Sequence, residues 1–311
     1  MSPTDDCVVA RVPLRLPLGG GGTDLPFYAT RYGADLISVT ITLSVTVVVR
    51  RGRLDGRTRF THDRMVVGGL GGESPEPYLT AACRLVGVGE PLEVVSLGPV
   101  PAGTGLGSSG AFAVGLLAAL GALRGRASEP AQLAEQAAVL EMDLLGRPVG
   151  KHDQYVCALG GVRRIIIEPD GRVRLPEVAV AAETLVALEA RLLLLYTGQR
   201  RDSADYLRPS HTARDAVRQT ERLHRIKELG GRIRTRLETG DLDGFAPLLH
   251  EHWMEKRAGD PGPWDDIYVA ARSRGASAGK LVGAGGGGFL LLYVEPGRRA
   301  DVLAVAAEHG L

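Results

Sequence analysis

A glycine-rich segment in the first half of the chain has the composition of a phosphate-binding loop. Residues 101–111 read PAGTGLGSSGA and lead into a run with helical spacing. Glycines permit positive φ angles and close backbone approach to a ligand. A helix that begins near Ser108 would add unpaired N–H groups and the positive end of its dipole, which favour phosphate. The spacings of a Walker A loop, a dinucleotide fingerprint and a nucleophile elbow are absent. An ordinary glycine-rich turn that caps a helix is the structural alternative.

A second glycine-rich segment lies near the start of the chain. Residues 13–26 read PLRLPLGGGGTDLP, so that four glycines stand between Arg15 and Asp24. Backbone N–H groups beside a carboxylate that accepts hydroxyl protons suit a polyhydroxylated ligand. A plain flexible loop is the alternative here.

A third segment, GKHDQY at residues 150–155, follows a predicted helix that carries Glu141. Helical spacing places Glu141 on the same largely apolar face as Ala134 and Ala138. A carboxylate on such a face needs a metal ion or a cation as its partner. The residues leave both possibilities open, a metal ligand or a salt bridge to a basic side chain.

Strands and helices must hold these segments in place. Apolar runs separated by glycine predict strands in the first third, including a hairpin of residues 45–51 and 57–61 joined at Asp55-Gly56. Helices are predicted at about 111–124 and 129–145, the second with Ser128 as its cap and Pro130 in its first turn.

The second half contains strands and helices, and the chain has no repeats or low-complexity tracts, so the whole is predicted to be a compact α+β molecule. A turn at residues 169–171 predicts a boundary between domains 1–170 and 171–311. The pair His250 and His252 suggests a metal, but positions two apart face different sides of a helix, so a surface helix is favoured. The predicted elements are a strand at 192–196, helices at 210–238, 242–257 and 266–273, a strand–turn–strand at 280–294 and a final helix.

Composition and charge restrict the class of protein. The 311 residues are 44% hydrophobic and carry a net charge of +1, with no broad basic surface for nucleic acid or an anionic membrane. Three cysteines without CxxC spacing predict neither a disulfide framework nor a zinc site, and they fit a reducing cytoplasm. The first residues lack the pattern of a secretory signal, and no apolar run is long enough to span a bilayer. Oligomeric state is not readable from the sequence.

The three segments, together with YTG at 196–198 and GAGGGGF at 283–289, occur in an order that resembles the GHMP kinase superfamily over nearly the whole chain. The motif sequences are most similar to those of the D-glycero-D-manno-heptose 7-phosphate kinase branch. This resemblance implies an α+β fold of two domains, with an N-terminal domain like domain 2 of ribosomal protein S5 and a ferredoxin-like C-terminal domain. It also implies transfer of a phosphoryl group from ATP to a hydroxyl group, with Mg²⁺ as a second cofactor.

The resemblance implies roles for the matching residues. Asp153 matches the catalytic aspartate, and Arg15 matches the basic residue that pairs with it. Ser109, or Ser108 in its place, would join Glu141 around Mg²⁺. The residues implied to contact ATP are Pro101, Gly103, Gly105, Leu106, Gly107, Ser108, Ser109 and Gly110, the last standing where the family usually has alanine or serine. Those implied to contact the acceptor are Gly21, Gly22, Thr23, Asp24, Lys151, His152, Arg200, Arg201, Gly285 and Gly286.

The implied acceptor is a heptose 7-phosphate, phosphorylated at its anomeric C1 hydroxyl. Arg200 and Arg201 follow a predicted strand, and guanidinium groups bind phosphate bidentately, with Lys151 as a further cation. A solvated arginine pair is equally open, which would favour a neutral sugar such as fucose or galactose. His152 stands where the branch often has glutamine, which leaves the acceptor open.

Two other functions are possible for a protein of this fold. A non-catalytic sugar and nucleotide sensor is disfavoured by the presence of Asp153, Arg15 and Glu141. An ATP-dependent decarboxylase of a phosphorylated acid is disfavoured by the opening segment, because its residues Gly21, Gly22, Thr23 and Asp24 resemble those of sugar kinases.

Overall fold

The computed structural model describes residues 7–52, 55–62, 65–70, 76–101, 103–199, 213–257, 262, 264–283 and 287–311, with no side-chain description at 69–70 and 213–214. Within these ranges, no helix has the length and apolar content needed to cross a membrane. The strands are β1 Cys7–Gly19, β2 Ala34–Arg51, β3 Arg57–Thr61, β4 Met65–Leu70, β5 Leu92–Leu97, β6 Val162–Ile167, β7 Val173–Arg174, β8 Leu192–Tyr196, β9 Ala276–Leu281 and β10 Phe289–Val294. The helices are α1 Pro26–Tyr32, α2 Pro77–Val86, α3 Ser108–Leu123, α4 Pro130–Val139, α5 His152–Leu159, α6 Ala182–Arg191, α7 Ala213–Glu238, α8 Leu242–Arg257, α9 Trp264–Ser273 and α10 Arg299–Glu308.

Two sheets organise the described strands. The larger has seven strands in the order β4-β3-β5-β2-β6-β7, with β1 paired to β2. The smaller has the order β8-β10-β9, and β10 runs antiparallel to both neighbours. The two strands of the predicted strand–turn–strand at 280–294 are therefore confirmed as β9 and β10, and residues 284–286 between them lie outside the described residues.

The predicted hairpin of residues 45–51 and 57–61 is wrong. Strand β5 lies between β2 and β3, antiparallel to β2 and parallel to β3. The buried side chains of Val94 on β5 and of Val47 and Val49 on β2 give this pairing an apolar face. The hairpin partner of β3 is instead β4, where Thr61 faces Met65. The turn residues between β2 and β3 therefore predicted the wrong strand partners. The true partner of both strands, β5, is distant in sequence.

Packing divides the chain into two units. The first packing unit consists of Met1–Arg15, Thr40–Pro101 and Gly107–Gly161. The second packing unit consists of Leu16–Val39, Ala102–Leu106 and Val162–Leu311. Both units are discontinuous in sequence, whereas the predicted domains 1–170 and 171–311 are continuous, and that division stays a prediction.

Two details of the helices in the first packing unit bear on the site. Helix α4 has Pro130 at its start, as predicted, but its cap is Glu129 rather than Ser128, because a proline in the first helical position makes the preceding residue the cap. The helix ends at Val139 and continues as a π-helical turn, Leu140–Leu144, which contains Glu141. Such turns occur frequently at functional sites.

The second packing unit has an aromatic and aliphatic core between α8, α9, α10 and the smaller sheet. Its largest members are Trp253, Trp264 and Tyr268. The surface-helix prediction for the histidine pair is wrong for His252, which is 2% exposed, because α8 turns that side toward the core. His250 lies on another side of α8 and its Nδ1 is 2.6 Å from the Tyr268 hydroxyl.

Candidate active site

An arginine–aspartate pair joins two segments that lie 138 positions apart in the sequence. Arg15 comes from β1, and Asp153 lies in the first turn of α5. The Nε and Nη2 atoms of Arg15 donate to Oδ1 and Oδ2 of Asp153 at 2.8 and 2.6 Å. Arg15 is 5% exposed, so this bidentate geometry holds a buried cation against its counter-ion.

The N-terminal end of α3 packs against this pair. Arg15 lies against Gly107, the cap residue of α3, which has a φ of 78° and provides no side-chain cap. A Cβ added at Gly110 would lie 2.9 Å from the Cβ of Asp153, closer than real side chains approach. Glycine at this position, where alanine or serine is usual in the resembling family, therefore fits the close approach of α5 to α3.

Local charges keep Asp153 ionised. Burial alone would raise the pKa of its carboxyl group, but Arg15 and His152 outweigh that effect and hold the pKa below its ordinary value. His152 is 4% exposed, and its Nδ1 lies 3.1 Å from Oδ1 of Asp153. The carboxylate has further lone pairs that can accept a hydroxyl proton.

Glu141 is a buried carboxylate held by neutral donors. Its side chain is 0% exposed, and it accepts hydrogen bonds from the Tyr78 hydroxyl at 2.8 Å and the Gln154 amide at 2.6 Å. Ser109 also donates a hydrogen bond to it. Burial raises the pKa of Glu141, and these donors offset part of the increase. No salt bridge to Glu141 is found within the described residues, so the alternative of a basic partner lacks support there.

The neighbourhood of Glu141 suits a hard cation. A carboxylate oxygen and the Ser109 hydroxyl lie in hydrogen-bond contact, and both are ligand types that Mg²⁺ accepts. The Ser108 hydroxyl is buried and has no hydrogen-bond partner among the described atoms. No group of three or more His, Cys, Asp or Glu side chains in the described ranges could hold a metal. Mg²⁺ bound with a nucleotide needs no such group, since it usually uses one or two carboxylates and substrate phosphates.

Lys151 is engaged by an acidic side chain from α4. Its Nζ donates to Oε1 of Glu135 at 2.5 Å, and the Tyr155 hydroxyl donates to Oε2 of the same carboxylate at 2.6 Å. Glu135 belongs to none of the predicted site segments. Any role for Lys151 with an acceptor phosphate therefore involves Glu135 as a competing partner.

In the second packing unit, the other half of the predicted phosphate loop, residues 103–106, packs against Val282 and Gly283, which follow β9. Gly105 has a φ of 85°, and a Cβ there would lie 2.4 Å from the carbonyl oxygen of Val282. A Cβ at Gly283 would lie 2.4 Å from the Cα of Gly105. Thr104 is fully buried, and Leu106 is as well. Two glycine-rich segments that are distant in the sequence therefore meet backbone to backbone.

The opening glycine segment forms a turn in the same unit. The Thr23 hydroxyl donates to the Gly20 carbonyl at 2.7 Å, and Thr23 is 0% exposed, so this side chain stabilises the turn. Asp24 follows and is half-buried. Behind it, the Tyr28 hydroxyl of α1 lies 2.7 Å from Nδ1 of His224 on α7.

Four of the predicted site residues are not among those that the structure describes. Gly285, Gly286, Arg200 and Arg201 lie outside the described residues. Of the remaining predictions, the first packing unit contains Arg15, Pro101, residues 107–110, Glu141 and residues 151–153, whereas the second contains Gly103, Gly105, Leu106 and residues 21–24.

Sequence reasoning missed two donors to Glu141. Gln154 was within the quoted GKHDQY segment but had no role assigned, and it lies one position after Asp153. Tyr78 is 63 positions before Glu141, and no local pattern connects them. Its ring also lies under the guanidinium of Arg147, 5.7 Å from the ring centroid.

Two family models match the chain. The model of the GHMP kinases N-terminal domain matches residues 77–161, and that of the GHMP kinases C-terminal domain matches residues 233–310. Together they cover more than half of the 311 residues. They confirm the resemblance and the two-domain GHMP kinase fold class.

Individual relatives match over nearly the full chain. The D-glycero-alpha-D-manno-heptose 7-phosphate kinase of Campylobacter jejuni is 27% identical, over 96% of this chain and 93% of its own. A mevalonate kinase of Methanothermobacter thermautotrophicus is also 27% identical, over 89% of this chain and 88% of its own. The crystal structure of a D-glycero-D-manno-heptose 1-phosphate kinase from Bacteroides thetaiotaomicron has a TM-score of 0.80 at 24% identity, covering 96% and 92% of the two chains.

The two kinases at 27% identity are named for different acceptors, so this level of identity does not decide the acceptor. What they share is the class of reaction and the fold. The chain belongs to the GHMP kinase family and is therefore a kinase, an enzyme that transfers a phosphoryl group from ATP.

Proposed function

We propose that this kinase phosphorylates the anomeric C1 hydroxyl of a heptose 7-phosphate to give the 1,7-bisphosphate, as a cytoplasmic enzyme. The observation that carries transfer to a hydroxyl is the bidentate Arg15–Asp153 pair packed against the first turn of α3. The choice of acceptor is supported by similarity to a heptose 7-phosphate kinase over 96% of the chain.

The start of α3 would hold the phosphate groups of the nucleotide. Its cap residue Gly107 leaves the first N–H groups without a side-chain acceptor, and the helix dipole adds a positive field there. The Ser108 hydroxyl, buried and unpaired among the described residues, is a further donor for a phosphate oxygen. These groups would keep the γ-phosphate in line with the acceptor, which is the main task of the protein in phosphoryl transfer.

Asp153 would accept a hydrogen bond from the acceptor hydroxyl. Because Arg15 and His152 lower the pKa of Asp153, it is a weak base, and it would take the proton late, when the hydroxyl oxygen is already bonding to phosphorus. An anomeric hydroxyl is more acidic than other sugar hydroxyls, which suits a weak base. Arg15 would keep the carboxylate oriented throughout.

Glu141 and Ser109 would hold Mg²⁺ beside the phosphates. The ion would supply charge neutralisation to the β- and γ-phosphate oxygens. Tyr78 and Gln154 would orient the Glu141 carboxylate toward that position, since their donors occupy one lone pair on each of its oxygens. Outer donors of this kind commonly tune metal ligands.

Glu141→Gln is expected to raise the Mg²⁺ concentration required for half-maximal activity by about tenfold or more, because a ligand carboxylate loses its charge. The measurement is a Mg²⁺ titration of activity together with calorimetric ATP binding at each Mg²⁺ concentration. Glu93→Gln is the matched control, since Glu93 is a partly buried glutamate on β5 that pairs with Arg50. An unchanged titration in Glu141→Gln would remove Glu141 from the metal site.

The acceptor is tested by steady-state kinetics with sugars and sugar phosphates. We expect kcat/KM for heptose 7-phosphate to exceed that for any unphosphorylated sugar by about tenfold or more, the scale of one charge-assisted contact to phosphate. Arg201→Ala is expected to narrow this difference if the arginine pair binds the acceptor phosphate. Phosphorus NMR of the product identifies the phosphorylated position.

Other outcomes lead to different acceptors. A neutral sugar that is the better substrate, with its new phosphate away from C1, would disprove the heptose 7-phosphate proposal and leave the kinase intact. Absence of ATP turnover with every acceptor, despite sugar and nucleotide binding, would instead favour a sensor.

A further inference from the structure

A lysine on α8 fixes the turn that packs against the phosphate loop. The Nζ atom of Lys256 donates to the carbonyl oxygen of Leu281 at 2.9 Å and to that of Gly283. Gly283 lies directly against Gly105, where even a Cβ would come within 2.4 Å. The ammonium group therefore sets the path of the backbone that supports Gly105.

A second lysine serves the opening glycine segment. Lys280 on β9 is 2% exposed, and its Nζ donates to the carbonyl oxygen of Leu18 at 2.9 Å. Leu18 immediately precedes the four glycines at residues 19–22. A buried ammonium is destabilising unless it is well bonded, so its presence at this carbonyl needs a reason beyond packing.

A buried histidine lies near both lysines. His252 is 2% exposed, and neither of its ring nitrogens has a hydrogen-bond partner among the described residues. Burial lowers the pKa of His252 well below its usual value, and the charges of Lys280 and Lys256 lower it further. The imidazole is therefore neutral, and it adds no third positive charge beside the two ammonium groups.

We infer that Lys256 and Lys280 are positioning residues, one for the phosphate loop and one for the opening glycine segment. Lys256 acts on nucleotide binding through the turn at residues 281–283, and Lys280 acts on acceptor binding through Leu18. This inference rests on the proposed function of the two glycine segments. Neither lysine needs to touch a substrate for this role.

The test distinguishes the two lysines by which KM rises, that for ATP or that for the acceptor, while kcat changes little. Lys256→Met is expected to raise KM for ATP by about tenfold with kcat within about twofold, and Lys280→Met to raise KM for the acceptor by about tenfold with KM for ATP unchanged. Lys256→Arg and Lys280→Arg, which keep donors, are expected to recover most of each loss. The acceptor used is whichever sugar the wild-type enzyme turns over.

Arg299→Met is the matched control. Arg299 also donates to two backbone carbonyl oxygens, those of Ala190 and Leu192, but neither belongs to a glycine segment. The Arg299→Met substitution should lower the melting temperature without changing either KM.

If the lysine variants lose kcat and melting temperature with both KM values unchanged, their role is only structural and the inference is overturned. If Lys280→Met does not fold, Lys280→Gln, which keeps a shorter and uncharged donor, decides the role of Lys280 by the same KM comparison. A wild-type enzyme that does not turn over ATP would overturn the proposed function instead.

Discussion

We expect Asp153→Asn to lower kcat by about a hundredfold or more while the affinity for ATP stays nearly unchanged, the scale typical of losing a group that accepts a proton in the transition state. The asparagine keeps one oxygen for Arg15 but has no negative charge for the acceptor proton. A hundredfold loss corresponds to about 2.7 kcal/mol of activation free energy. Single-turnover measurement of the chemical step, with ATP affinity from calorimetry, checks both parts.

Asp35→Asn provides the control for this variant. Asp35 makes the same bidentate contact, with Arg164 at 2.9 and 2.6 Å, and its side chain is likewise partly buried. The two variants should lose comparable stability in thermal unfolding, but only Asp153→Asn should lose turnover. Turnover near the wild-type level in Asp153→Asn would remove Asp153 from the reaction.

The second large effect is expected at the phosphate loop. Gly105→Ala should raise KM for ATP by about a hundredfold or abolish binding, because the added Cβ would lie 2.4 Å from the Val282 carbonyl oxygen and displace the backbone. The left-handed conformation alone costs alanine about 1–2 kcal/mol. Isothermal calorimetry measures the accompanying loss of ATP affinity, and steady-state kinetics measure KM.

Gly171→Ala separates these two causes. Gly171 has a φ of 84°, almost the same as the 85° of Gly105, but a Cβ there meets nothing within 4 Å. It should show the conformational cost in its melting temperature and keep normal ATP affinity. Equal ATP affinities in the two alanine variants would show that the contact of Gly105 with Val282 and Gly283 is unimportant for ATP binding.

Local patterns predicted much of the fold. Helix α8 begins at Leu242 and ends at Arg257, as its spacing indicated, and β8 likewise has its predicted bounds. Both elements depend on short-range periodicity and on end signals that lie within a few residues. The partner of β2 could not be predicted this way, because β5 enters between two strands that are neighbours in sequence.

The candidate site shows the same division. The motifs identified Asp153 and Arg15. These residues lie 138 positions apart in the sequence, and they form a contact because the opening glycine segment and the GKHDQY segment meet. The hydrogen bond from Tyr78 to Glu141 belongs to no motif, and the π-helical turn around Glu141 depends on packing. Burial of His252 depends on which side of α8 faces the core, and the mixed polarity of that helix did not decide it.

The interleaving of the packing units has a consequence for synthesis on the ribosome. The chain passes between the two units five times, and the hydrogen bond from Lys280 to Leu18 spans 262 positions. At ordinary elongation rates, Leu18 waits on the order of ten seconds or more for that partner to be made. Contacts of such sequence separation slow folding. The opening glycine segment should therefore acquire its native protection from hydrogen exchange only after residue 280 has emerged, and nascent chains stopped earlier should leave it open to proteases.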